Sequence, residues 1–98
     1  MIDIEVKIMI ECLSEAIPQV NWSPATLFGK QYACASLSKN KNIYVSKNGM
    51  KWNLNSELSF RVIVQNINTF EELTNLIIHA INHENPKLIK PVQNRLFN

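Results

Sequence analysis

His79 and His83 stand one helical turn apart with Glu72 on the same side, a two-histidine-plus-carboxylate spacing of the sort that can hold a metal ion. The set stops there, because the sequence adds no second histidine pair, no neighbouring Cys or Asp and no HExxH acid. A solvated helix face is the simpler reading. Glu71 and Glu72 could do acid–base work, but Thr69-Phe70-Glu71-Glu72 is a Ser/Thr-x-x-Glu capping box, which occupies their chemistry at a helix start. The serines lack a Gly-rich elbow, and two glycines, Gly29 and Gly49, cannot build a phosphate loop. No catalytic residue, metal or cofactor is expected, and the chain reads as non-enzymatic.

Cys12 and Cys34 belong to no CxxC or Cys/His spacing, so both read as small buried apolar side chains in a reducing compartment. The lysines are more informative. Net charge is only +2, yet residues 1–28 carry −3, residues 29–56 carry five lysines and no acid, and residues 57–98 balance at zero. Lys39, Lys41, Lys47 and Lys51 gather around an expected hairpin, with Tyr44 on its outward face beside Lys51. That basic hairpin could follow a phosphate backbone with one stacking platform, although lysines that block edge-to-edge strand pairing explain it as well. A second candidate surface is the ridge Ile4, Ile8 and Cys12, spaced i, i+4, i+8 on the side of a helix away from its main apolar stripe. A helix apolar on two sides needs two partners, so the ridge reads as a subunit interface. The alternatives are that residues 2–8 form a strand, or that Leu96 and Phe97 of the C-terminal tail cover it.

The elements that would position these residues follow from periodicity. Ile2, Ile4, Val6 and Ile8 alternate as a half-buried strand would, but the stripe Ile2, Val6, Met9, Ile10, Leu13, Ala16, Ile17 explains more, giving a helix from about Asp3 to Ile17 that Pro18 ends. Ser23-Pro24 and Gly29 bracket what reads as one short helical turn over 24–28. From Gln31 the period becomes two. Strands are expected at Gln31–Leu37, Ile43–Lys47, Met50–Leu54 and about Glu57–Gln65, with a hairpin centred on Asn48-Gly49. That register pairs Lys47 with Met50 and Val45 with Trp52, so Ile43, Val45, Met50, Trp52 and Leu54 share the inner face. In the last strand Leu58, Phe60, Val62 and Val64 point inward. Phe70, Leu73, Leu76, Ile77, Ala80 and Ile81 form the stripe of a second helix reaching His83, and Leu88-Ile89 with Val92 fit a short terminal edge strand.

The expectation is one α+β domain over residues 1–98: an antiparallel meander of about four strands with two helices on one face, α-ββββ-α, with room for a last short strand. Its length suits a single core. Asp3, Glu5 and Lys7 interrupt the N-terminal isoleucines, so no secretory signal is visible, no apolar run is long enough to span a membrane, and a cytoplasmic location is expected.

The order of these elements, and the passage from Phe60-Arg61-Val62-Ile63-Val64-Gln65 into Asn68-Thr69-Phe70-Glu71-Glu72-Leu73, resembles the small tail-terminator and tail-completion (minor tail) proteins of tailed bacteriophages. The resemblance covers about residues 3–83 and rests on pattern, without a diagnostic motif. It implies a ring-forming assembly subunit of a virion, with copies of itself or other assembly proteins as partners. No individual functional residue carries over. The alternative is a small nucleic-acid-binding or inhibitory module built on the basic hairpin.

Overall fold

The computed structural model describes residues 2–59 and 61–85. Helix α1 (Ile4–Ala16) is followed by strands β1 (Trp22–Leu27), β2 (Lys30–Ser38), β3 (Lys41–Asn48), β4 (Lys51–Glu57) and β5 (Val62–Ile67), and by helix α2 (Phe70–Glu84). The strands pair in the order β1-β2-β3-β4-β5, every neighbour antiparallel. The fold is α+β as expected, with one strand more.

The extra strand replaces the helical turn expected over 24–28. Phe28 and Gly29, at φ 51° and 78°, form a two-residue loop closed by the Leu27–Lys30 pair, the twist-compatible type I′ hairpin turn. Ser23-Pro24 therefore lies inside β1, and the proline is tolerated because β1 is an edge. The β3–β4 turn is also displaced. Asn48 pairs with Lys51, so Gly49-Met50 is the loop, with Gly49 at φ 65° in the first central position as a type II′ turn requires. Moving the turn by one residue moves the pairing by two, which preserves the faces: Val45 now opposes Leu54 and Lys47 opposes Trp52. Met50 leaves the inner face for the turn, where it is 85% exposed, and Trp52 sits half-buried at the core margin against Phe70, ring centroids 5.5 Å apart.

The inner face and both helices enclose one core. Val6, Met9, Leu13 and Ile17 meet Trp22, Ala33, Ala35, Ile43, Val45 and Leu54, and the same cluster takes in Leu73, Ile77 and Ile81. Helix α1 lies over β1 and β2, and α2 over β4 and β5. Trp22 donates from Nε1 to the Ile17 carbonyl at 3.1 Å, securing the exit from α1. Thr69 caps α2 as expected, its Oγ1 accepting from the Glu72 N–H at 3.1 Å. Val62 and Val64 point inward and are half-buried at the β5 edge. Strand β5 begins at Val62, because Glu57 still belongs to β4. Phe60, the strand proposed at Leu88–Val92, and Leu96 and Phe97 lie outside the described residues.

Candidate interaction surfaces

Helix α1 buries Val6, Met9 and Leu13 and turns Ile4 (76% exposed), Ile8 (53%) and Cys12 outward, so the ridge expected from the sequence is exposed among the described residues. Cys12 opens onto a groove of about 310 Å³ with Glu15, Ala16 and Phe70. Residue Ile4 also belongs to a larger apolar group. The Asp3 N–H donates to Gln31 Oε1 at 2.8 Å, which sets the start of α1 beside the start of β2 and its Phe28-Gly29 turn. In an antiparallel meander the turns at 28–29 and 49–50 leave the sheet at this same end, about 10 Å apart across two strand spacings. Of six exposed large apolar side chains among the described residues, Ile2, Ile4, Phe28 and Met50 are therefore gathered at one end, and Ile8 continues them along α1. Phe28 is fully exposed, and its positive φ costs a non-glycine residue about 1–2 kcal/mol.

Phe28 could not be read from the sequence as a tip residue, because the Ser-Pro and Gly punctuation around it matches a helix as well as a hairpin. Met50 was misplaced through the turn register.

The four hairpin lysines do not form one patch. Lys39 lies in the β2–β3 turn and Lys41 opens β3, whereas Lys47 and Lys51 lie about 20 Å away at the other end of the strand. Lys41 pairs with Glu84 of α2 at 3.1 Å. The Ser59 N–H (2.8 Å) holds the Glu84 carboxyl below its ordinary range, helped by Lys41 and the Ser59 hydroxyl at 3.0 Å. Lys41 also hydrogen-bonds Ser59 Oγ. Lys47 lies on the inner side with Nζ 4.7 Å from the Trp52 ring centroid. Lys51 donates to Asn68 Oδ1 at 3.0 Å.

Tyr44 is on the outer face, and there the fold assembles what the sequence did not. Outer positions of β2–β5 line a groove of about 170 Å³: Lys30, Tyr32, Tyr44, Ser46, Asn53, Asn55, Ile63 and Gln65. Tyr32 and Tyr44 meet edge to face at 6.0 Å, and Lys30 Nζ lies 5.3 Å from the Tyr32 centroid. Asn53 accepts the Asn66 N–H at 3.0 Å, fixing its amide at the β4–β5 bulge, while Asn55 Oδ1 is buried without a hydrogen-bond partner among the described residues. Burial pushes the Tyr44 phenol up, reinforced by Cys34 and Glu57. Cys34, buried on this face opposite Tyr44, has its thiol raised chiefly by burial. Cys12 by contrast is exposed, against the expectation for both cysteines.

Glu72 is committed to the Thr69 cap. Among the described residues no group of three or more His, Cys, Asp or Glu side chains is placed to hold a metal ion, and no helix is long and apolar enough to cross a membrane.

No protein-family model, curated protein or solved structure matches the chain.

Proposed function

We infer that the protein is a non-enzymatic assembly subunit that binds copies of itself through the end of the molecule carrying Ile2, Ile4, Phe28 and Met50. The observation that carries this reading is the gathering of exposed large apolar side chains at one end, on two hairpin tips and the first turn of α1. Scattered apolar residues are ordinary on a monomer, whereas a group at one end marks a contact surface. The strained backbone under Phe28 adds to it, since Asn or Gly would relieve the turn and Phe contributes nothing to this chain's own core.

Acids and lysines both rim the apolar end, Asp3 and Glu5 beside Lys30 and Lys47, so charge gives no preference between a two-fold and a head-to-tail contact. The tail-terminator resemblance selects the head-to-tail arrangement. Such contacts close into rings or continue as filaments, and a ring suits the tail-terminator resemblance.

Solution mass measured by light scattering over a concentration series tests the reading. Wild type should rise above 11.3 kDa with concentration, and the Phe28→Asn/Met50→Gln pair should stay near it while unfolding at no lower denaturant. A wild type that stays monomeric at millimolar concentration overturns it.

A further inference from the structure

Both helices cover the inner face of the sheet, which leaves the outer face of β2–β5 without a covering element among the described residues. The side chains there have an unusual make-up for a solvated surface. Tyr32 and Tyr44 stand on adjacent strands, flanked by Lys30 and by the amides of Asn53, Asn55 and Gln65. The groove lining holds a cation and no carboxylate. Glu57, the one acid at an outer strand position among the described residues, does not line the groove. Lys51 adds a second cation at an outer position of β4, at the same end of the sheet as Lys30.

We propose that this outer face binds single-stranded nucleic acid, with Tyr32 and Tyr44 as base platforms and Lys30 and Lys51 on the phosphates. The chemistry selects this occupant. An open sheet with two aromatic rings on neighbouring strands can stack two or three bases, and stacking is open to any base because each has a π-face. The amide N–H groups of Asn53 and Asn55 and the side chain of Gln65 line the groove as polar partners for base edges. A duplex hides those base faces and cannot use the tyrosines. A peptide would pair along an edge strand with its main chain, not across side chains at the middle of a sheet. The site is separate from the apolar end that carries the assembly reading, so either stands without the other.

Fluorescence anisotropy with labelled 12-mers of oligo(dT) and oligo(rU) at low salt is the direct test. Wild type should bind, with a log–log salt slope of about −1 to −2 for two phosphate contacts. Tyr32→Leu should weaken binding about ten-fold, and Tyr32→Phe should restore it, since the ring and not the hydroxyl does the stacking. Lys30→Gln should weaken binding and flatten the slope, while Lys39→Gln, outside the groove, should leave it within two-fold. Far-UV circular dichroism checks that each variant is folded. Absence of wild-type binding overturns the proposal. So does equal binding of duplex, or an equal loss with Lys30→Gln and Lys39→Gln, because either reduces the effect to unspecific charge.

Discussion

Ser56 occupies an inner position between Ile43 and Val62 and is completely buried, with an Oγ that has no hydrogen-bond partner among the described residues. Desolvating a hydroxyl without pairing it costs about 1–3 kcal/mol, and alanine removes the oxygen while leaving little space. Ser56→Ala should therefore hold stability or raise it by up to about 1 kcal/mol in a urea titration; a loss above that amount would mean the hydroxyl has a partner. The two cysteines separate just as clearly. Cys34 is buried with its thiol raised by burial, and Cys12 is exposed, so an aromatic disulfide reagent at neutral pH should titrate one thiol quickly in the folded protein and the second only on unfolding. Fast release of two equivalents from folded protein would contradict this. The outward ridge of α1 was legible at this scale, because 3.6-residue spacing separates Ile4 and Ile8 from Val6, Met9 and Leu13 without knowledge of the sheet. For Cys12 the spacing and the residue type disagree: the i+8 step from Ile4 puts it on the outward ridge, where it is exposed, whereas type alone favours burial.

At the scale of elements, α2 was readable because its cap and its stripe agree, and β1 was hidden because Ser-Pro and Gly mark both helix ends and hairpins. The Asn48-Gly49 hairpin shows how an error can be harmless: with the turn moved to Gly49-Met50 the parity survived, so the inner and outer faces were right and only Met50 and the tip changed place. Glu84 ties the end of α2 to the β4–β5 connection and to Lys41, a link between distant segments that no local spacing could show. Its carboxyl is lowered by the Ser59 N–H first and by Lys41 next, so its folded pKa lies below the unfolded value near 4.3. A lowered carboxyl contributes stability in full above that value, and the contribution disappears as pH falls through the folded pKa. Glu84→Gln should therefore lower Tm at pH 7, and the gap from wild type should close as pH falls below about 4.3. A gap that persists unchanged at pH 2.5 would assign the loss to packing rather than to charge.

For the whole molecule the question is whether α1 over β1–β2 and α2 over β4–β5 are one folding unit or two. The helices reach different strands, and β3 joins the halves through Ile43 and Val45, which belong to the core on both sides. A chain of 98 residues has too little apolar surface to stabilise two cores separately, and the single enclosed cluster argues for one cooperative transition. The sequence places a reporter in each half. Trp22 is buried and bonded to the α1 exit, and Trp52 stacks near Phe70 at the start of α2. Trp22→Phe leaves Trp52 to report on the α2 half, and Trp52→Phe leaves Trp22 to report on the α1 half. In each variant the fluorescence midpoint in urea should coincide with the far-UV circular dichroism midpoint, whatever the variant's own loss of stability. Fluorescence that shifts ahead of the dichroism in one variant and behind it in the other would show that the halves melt separately. The shared β3 would then be a hinge between two half-cores, and an apolar end assembled from both α1 and the β3–β4 tip would not be a rigid surface.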